Sequence, residues 1–391
     1  MENIKLTYDD VTIVPSVVTN IESRSECCPY SSDGFISPTE ENNFLPIIAA
    51  PMSSVVSLEN TKDFNDSKIR VVIPRSIPLE ERFDRLFEDR TNFVAFSLNE
   101  VKDIFVNEDS RRNIKFHLAH DLSIVTLNIC IDLANGHMNT LLETIKEIKD
   151  YFGKRVLIMS GNIANPKTYQ DYDRIGCDFV RVSIGTGNVC STSSNTGVHY
   201  PVFSLLKEIY EIKQSISGKC KIIADGGIKS FRDIQKALIY ADYVMIGSLF
   251  NKAIESAGKT TYGNFYWNIR GKKVLRPIAT LFHFGREVPK KKYQKVLSLI
   301  KKGKLDVYKE FYGMSTKIAQ SLINEANGIA VNKLKTSEGL LKYQKVEYDV
   351  AGWVENEIDY LRSAMSYTNS KTLSEYKNSS WTRCTNISYN K

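Results

Sequence analysis

The stretch CKIIADGGIKSFRDIQKALIYADYVMIGSLF, residues 220–250, decides the fold that the sequence predicts. It contains an apolar run that ends at Asp225, an amphipathic segment, and a second apolar run that ends near Gly247. Apolar residues that run on without alternating predict strands buried on both faces of a parallel sheet. Ser230 stands where the helix should begin, so we expect its hydroxyl to accept a backbone N–H as an N-cap. The stretch therefore predicts one β–α–β unit.

Six similar runs precede this unit, with amphipathic patterns such as those at 138–153 and 201–216 between them. The eight predicted strands are 45–52, 69–75, 92–98, 123–132, 155–162, 178–185, 220–227 and 242–250. Eight strands with helical crossovers is the number that closes a (β/α)8, or TIM, barrel. An open doubly wound sheet is the alternative that periodicity leaves. Nearly every run ends in polar or glycine-rich residues, and only a barrel gathers all these ends at one mouth, so we predict the barrel.

The rest of the chain shows a less regular pattern. Residues 257–310 are rich in lysine and aromatic residues, and they predict an insertion with one helix near 293–304. Residues 311–391 predict a C-terminal active-site extension with a helix near 354–367. We expect residues 1–391 to form a single barrel domain.

Composition restricts the partners and the cellular setting. The formal charge of +7 fits either an anionic ligand or scattered surface lysines, and the basic stretch 289–304 fits a solvated helical face better than nucleic-acid binding. The seven cysteines form no CxxC pair, which argues against structural zinc and favours a reducing compartment. No signal peptide or bilayer-spanning apolar run of ~20 residues stands out. We therefore expect a soluble, cytoplasmic protein with no membrane or nucleic-acid partner.

One glycine-framed loop predicts a reactive thiol. Gly185 and Gly187 follow a predicted strand, and Cys190 comes three residues later, where sharp turns can present it at the barrel mouth. Carbonyl oxygens of such a loop suit a monovalent cation. The cysteines within or beside apolar strands are expected to be inert: Cys130, Cys177 and Cys220.

Two further motifs at neighbouring strand ends predict a phosphate-bearing ligand. Asp225 can accept the hydrogens of a ribose diol. The glycines that follow, Gly226, Gly227 and Gly247, let a phosphate approach the backbone closely. Phosphate sites in barrels often follow strands seven and eight, where these motifs fall.

Nine motifs in this order resemble those of the IMP dehydrogenase/GMP reductase family. They are ESRSE (22–26), IIAAPM (47–52), DLANG (132–136), GTGNVCST (185–192), ADGGI (224–228), GSLF (247–250), FYGMS (311–315), SEG (337–339) and LRSAMSYT (361–368). The resemblance covers nearly the whole chain. Dehydrogenases of the family usually carry two CBS modules inserted after the second strand, and no such insertion fits here. They also carry an Arg-Tyr pair, which residues 318–336 do not contain. FYGMS, DLANG and SRSE are similar to the reductase motifs, so the resemblance implies a GMP reductase.

The resemblance also implies a covalent mechanism. Cys190 would add to purine C2, and Thr192 and Glu338 would handle protons while NADPH reduces GMP to IMP in purine salvage. The residues implied to bind GMP are Asp225, Gly226, Gly227, Gly247, Ser248, Gly313, Met314, Ser315, Lys335, Ser337 and Gly339. Those implied to meet NADPH are Asp132, Ala134, Arg75, Arg24, Ser25 and Met314, some from a neighbour in a homotetramer. Backbone oxygens of Gly185, Gly187 and Cys190 would bind potassium.

The chain departs from the family pattern at three positions near the site. Asn188 stands where a phosphate-binding serine is usual, Ser193 where an arginine commonly occurs, and Lys335 where an arginine contacts the base. Three alternatives therefore stay open: an IMP dehydrogenase without CBS modules, a reductase or dehydrogenase of a modified or deoxy purine nucleotide, and a non-catalytic nucleotide-binding relative.

Overall fold

The computed structural model describes residues 4–31, 43–120, 126–269, 272–276, 290, 293–329, 336, 339–377 and 379–384. The strands up to residue 250 are β1 (Val11–Ile13), β2 (Ile47–Ala49), β3 (Arg70–Ile73), β4 (Phe93–Phe96), β5 (Leu127–Asp132), β6 (Val156–Ile163), β7 (Phe179–Val182), β8 (Lys221–Asp225) and β9 (Tyr243–Ile246). Strands β2 to β9 pair in parallel in chain order, and β9 pairs with β2 to close the barrel. The predicted barrel and its eight strands are confirmed.

Helices alternate with these strands as the amphipathic patterns predict. They are α1 (Thr61–Asp66), α2 (Leu79–Glu88), α3 (Leu98–Val101), α4 (Glu108–His120), α5 (Asn139–Phe152), α6 (Thr168–Arg174), α7 (Thr192–Thr196), α8 (Val202–Ser215), α9 (Phe231–Leu238) and α10 (Ser248–Asn251). Ser230 does stand at the N-terminal boundary of α9, but its hydroxyl does not cap the helix. It donates to Asp233 Oδ2 at 3.0 Å instead, so the predicted N-cap hydrogen bond is wrong. The Asp233 carboxylate also accepts the Lys229 backbone N–H at 2.9 Å, so this carboxylate, and not the hydroxyl, is the side-chain acceptor at the start of the helix.

The barrel interior is a packed layer of side chains from alternate strand positions. Its members are Ile48, Ala50, Val72, Phe93, Ala95, Cys130, Met159, Phe179, Ile223, Tyr243 and Met245. Phe93 and Phe179 meet edge to face with ring centroids 5.5 Å apart. This layer closes the barrel below its mouth, so a ligand can enter only at the end that the strand termini surround.

The segment after the barrel contains more regular structure than the sequence predicts. The helix expected near 293–304 is α11 (Tyr293–Lys301), but three strands were missed here: β10 (Thr260–Ile269), β11 (Lys272–Arg276) and β12 (Leu305–Tyr312). With β13 (Leu341–Lys345) they form an antiparallel sheet in the order β11-β10-β12-β13. Threonine and aromatic residues, which favour strands, are frequent in this segment.

A small apolar cluster joins this sheet to α11. It consists of Ile254, Val296, Leu297, Ile300, Leu305, Val307 and Val346. The sheet thus has a core of its own beside the barrel mouth. Whether the chain is one domain stays a prediction.

The C-terminal extension returns to the barrel. After α12 (Lys317–Ala326) comes α13 (Val350–Tyr367), which confirms the helix predicted near 354–367, and then α14 (Leu373–Tyr376). Trp353 of α13 is buried, and its ring meets Phe250 of α10 with centroids 4.9 Å apart. The last strand, β14 (Trp381–Arg383), pairs antiparallel with β1. Of the helices described, none is both long and apolar enough to span a bilayer.

We predict that Phe93→Ala lowers the free energy of unfolding by about 3–5 kcal/mol, because it leaves a cavity in the barrel layer. Phe116→Ala is the matched control, since Phe116 is 58% exposed on α4, and its change should stay below about 1 kcal/mol. Urea denaturation followed by circular dichroism measures both. Equal losses for the two variants would contradict the packing described for the barrel interior.

Candidate functional site

A cavity of about 590 Å³ lies at the carboxyl ends of the barrel strands. Most of the predicted site residues line it together: Arg75, Asp132, Ala134, Gly185, Gly187, Cys190, Thr192, Asp225, Gly226, Gly227, Gly247, Ser248, Gly313, Met314 and Ser315. Residues from β5, β8, the loop after β7 and the segment after β12 therefore share one concave surface. This convergence makes it the candidate active site.

Cys190 lies on the loop between β7 and α7 and is partly exposed. Its thiol donates to Thr192 Oγ1 at 3.3 Å, which brings together two of the three predicted catalytic residues. The turn before it requires glycine at 185, where φ is +75° and an added Cβ would lie 2.7 Å from Ser193 Cβ. Cys130, Cys177 and Cys220 are buried, as expected, and burial raises the pKa of the Cys130 thiol to about 12. Of the four cysteines considered in the sequence, Cys190 is therefore the one that lines the cavity.

A segment distant in sequence runs beside this loop. Gly339 forms an antiparallel bridge with Cys190, and the Leu340 N–H donates to the Val189 carbonyl at 3.0 Å. Gly339 is therefore next to the loop, although it does not line the cavity. Three predicted residues lie outside the described residues: Lys335, Ser337 and Glu338. Their roles stay predictions.

Arg181, which the sequence analysis did not select, lies at the centre of the site. From β7 its Nη1 donates to Asp132 Oδ1 at 2.6 Å, and its Nε donates to Asp225 Oδ2 at 2.9 Å. All three side chains are mostly buried, with exposed fractions of 9%, 12% and 14%. Burial alone would lower the pKa of Arg181, but the Asp225 and Asp132 carboxylates outweigh it and raise that pKa well above its usual value. The sequence does contain a signal for Arg181: a charged residue inside the apolar strand FVRV (179–182) needs an oppositely charged partner when it is buried.

The Asp225 carboxylate is held from one side. Asn162 Nδ2 donates to the same Oδ2 at 2.7 Å, and it also donates to the Ser183 carbonyl at 3.0 Å. Across the described part of the chain, every hydrogen bond to this carboxylate ends on Oδ2. Within the described residues this leaves Oδ1 without a hydrogen bond, and the predicted contact of Asp225 with a ribose diol stays a prediction.

Two glycines, Gly226 after β8 and Gly247 after β9, allow a close approach to the backbone. Gly226 has φ +104°, and a Cβ there would lie 2.5 Å from Thr186 Oγ1. Gly247 has an ordinary negative φ, but a Cβ there would lie 2.6 Å from Met52 Sδ, so the methionine side chain would have to move. A side chain at either position would displace its neighbours, so this wall of the cavity depends on glycine. A bare backbone wall of this kind suits a phosphate group.

The opposite wall is polar. Arg75 Nη1 donates to the Asp132 carbonyl at 3.3 Å, and within the described residues its buried Nε has no hydrogen-bond partner. Ala134 lines the same wall. Arg24 and Ser25 do not reach this cavity: Arg24 contacts Asp359 at 3.3 Å on the surface, and Ser25 contacts the Ser23 hydroxyl. Within one chain the structure does not bring them to the site.

Comparisons with known proteins agree with this architecture. Residues 106–303 match the family model described as "IMP dehydrogenase / GMP reductase domain". The chain is 27% identical to a GMP reductase of Caenorhabditis elegans over 378 residues, 95% of this chain and 89% of that protein. It is 30% identical over 261 residues to a GMP reductase of Buchnera aphidicola, 66% of this chain and 71% of that protein. It is 26% identical to the "GMP reductase 2" of Bos taurus, with 93% and 90% covered.

We predict that Arg181→Met lowers the free energy of unfolding by about 3–5 kcal/mol, because two buried carboxylates lose their cation. Arg181→Lys should lose less, since it keeps the charge but not the planar fork. The matched control is Arg174→Met, which removes an arginine that is 73% exposed on α6 and should cost below about 0.5 kcal/mol. Thermal unfolding measured by calorimetry compares the three variants. A loss for Arg181→Met no larger than that for Arg174→Met would refute the bridging role.

Proposed function

Because the chain belongs to the IMP dehydrogenase/GMP reductase family of oxidoreductases, we propose that it catalyses the NADPH-dependent reductive deamination of GMP to IMP and ammonia. The observation that carries the proposal is the Cys190 thiol, 3.3 Å from Thr192 Oγ1, in a cavity that also presents Asp225. The names of the matching relatives support the reductase direction. We assign the cofactor to the polar wall around Asp132 and the nucleotide to the glycine wall around Gly226, so that both ligands occupy the same cavity.

In the first half-reaction the Cys190 thiolate adds to C2 of GMP. A carbon–sulfur bond forms, the bond between C2 and the exocyclic nitrogen breaks, and ammonia departs. The product is a covalent thioimidate, and this covalent route divides one difficult substitution into two steps. Ammonia needs a proton to leave, and we assign its delivery to the Thr192 hydroxyl, supplied in turn by Glu338. The thiol–hydroxyl contact supports the role of Thr192. The role of Glu338 rests on the family motif.

In the second half-reaction the C2–S bond breaks and Cys190 leaves as a thiolate. NADPH, when bound, supplies the hydride that C2 accepts in this step. In total, GMP, NADPH and two protons give IMP, NADP⁺ and ammonium. The enzyme's own residues hold the two ligands and move the protons.

The nucleotide is assigned to the glycine side of the cavity. We propose that Asp225 Oδ1 accepts from the ribose hydroxyls, while Gly226, Gly227, Gly247 and Ser248 surround the phosphate. The remaining lining residues of this assignment contact the base: Gly313, Met314 and Ser315. Lys335, Ser337 and Gly339 are assigned to the nucleotide by the motif alone.

The residues on the opposite wall fit NADPH. The buried Arg75 Nε without a described partner suits an anionic or carbonyl group, and Asp132 and Ala134 lie beside it. Met314 is placed between the two ligands. Because Arg24 and Ser25 do not line this cavity, we assign them to a cofactor site completed by the neighbouring subunit of a homotetramer.

We predict that the protein consumes NADPH when GMP is added, measured as loss of reduced-nicotinamide absorbance under reducing conditions. Cys190→Ala should lower kcat by more than about a thousandfold while GMP binding persists, because the ribose and phosphate contacts remain. Cys28→Ala removes an exposed cysteine away from the cavity and serves as the control with unchanged kcat.

The same assay separates the alternatives. NADH formation from IMP with a higher kcat/KM than GMP reduction would assign a dehydrogenase instead. Turnover confined to a deoxy or modified purine nucleotide would correct the substrate. Tight GMP binding with no turnover of any nucleotide tested would assign a non-catalytic relative.

A further inference from the structure

The loop that carries Cys190 has its carbonyl oxygens hydrogen-bonded from within the chain. Ser193 Oγ donates to the Gly185 carbonyl at 2.8 Å, and the Cys190 N–H donates to the Gly187 carbonyl at 3.0 Å. These are two of the three residues whose oxygens the family resemblance assigns to potassium. K⁺ binds where several carbonyl oxygens together replace its water shell. The oxygens of Gly185 and Gly187 are directed to internal donors, which does not fit that arrangement.

A lysine ammonium is present on the same loop. Lys342 Nζ donates to the Asn188 carbonyl at 2.6 Å and approaches Asn188 Oδ1 at 3.1 Å. An ammonium carries one positive charge and three N–H donors, so it can neutralise several oxygens as a monovalent cation does. Two residues that depart from the family pattern, Asn188 and Ser193, are the ones that make these contacts. The departures therefore act together on one loop.

Lys342 is held in place by the sheet that follows the barrel. It lies on β13 opposite Phe311 of β12, and Phe311 is buried and lines the cavity. Just before it in sequence, Leu340 donates to the Val189 carbonyl. A backbone bond and a side-chain cation from the same short segment thus fix the loop. The hydrogen bonds of the ammonium are solvent-exposed, and the register of β13 keeps Lys342 within reach of the loop.

We propose that Lys342 takes the place of a monovalent cation in ordering the Cys190 loop, so that the protein works without potassium. This role is one of positioning, because Lys342 acts through Asn188 and not on the substrate. The effect on turnover rests on the proposed function, whereas the effect on loop order does not. A carbonyl oxygen has two lone pairs, so binding of K⁺ in addition is an outcome that the experiment must detect.

The test compares K⁺ with choline at equal ionic strength, using two measurements on the full-length protein. Hydrogen–deuterium exchange of peptides covering 183–197 reports loop order, and GMP-dependent NADPH consumption reports turnover. For the wild type, neither should differ between the two salts. Lys342→Met should increase deuterium uptake and lower kcat in choline by at least about tenfold, with partial recovery in K⁺. Lys345→Met is the control. Lys345 lies on β13 like Lys342, but it pairs with Asp306 of β12 at 2.7 Å and not with the Cys190 loop, so this variant should behave as the wild type.

Two results would overturn the proposal. One is a wild type stimulated more than about tenfold by K⁺ over choline, with loop exchange slowed by K⁺. The other is a Lys342→Met variant that matches the wild type in both measurements. The wild-type comparison needs no variant, so it decides the matter even if Lys342→Met fails to fold. Absence of GMP turnover together with the stated exchange changes would reject the proposed function and leave the loop proposal standing.

Discussion

The buried ion pairs of Arg181 determine the geometry of the barrel mouth. One guanidinium joins Asp132 at the end of β5 to Asp225 at the end of β8. Two carboxylates at this depth would repel each other and would be costly to ionise without a cation between them. Because Arg181 engages both, the wall proposed for the cofactor and the wall proposed for the nucleotide are fixed relative to one another.

The Cys190 loop is positioned in a different way, by contacts from outside the barrel. Gly185 lets the loop turn away from β7, and Gly339, which lies two residues before β13, forms an isolated bridge with Cys190. The sheet after β9 therefore supports the loop, since Lys342 lies on β13 and Leu340, which bonds to Val189, immediately precedes that strand. A nucleophile must be oriented within narrow limits to react. In this chain the barrel supplies the walls of the cavity, and the added sheet supports the loop of Cys190, the proposed nucleophile.

The barrel could be predicted because each strand is a short apolar run with a polar end, which is a local property of the sequence. The location of Cys190 and Asp225 followed from the same rule. The strands β10 to β12 could not be predicted, because the aromatic residues and lysines in 257–310 show no clear period. Arg181 and Lys342 were missed for another reason: their partners lie on other strands or about 150 residues away. Local patterns indicate where a loop begins, but they do not show which distant side chain holds it.

The proposed reaction requires Cys190 to attack a purine whose ribose is held by Asp225. A crystal structure of the protein with GMP bound shows whether this geometry exists. We predict the ribose hydroxyls on Asp225 Oδ1 and purine C2 about 3–3.5 Å from Cys190 Sγ, the separation from which bond formation proceeds. A nucleotide bound elsewhere, or one in this cavity with C2 directed away from Cys190, would contradict it.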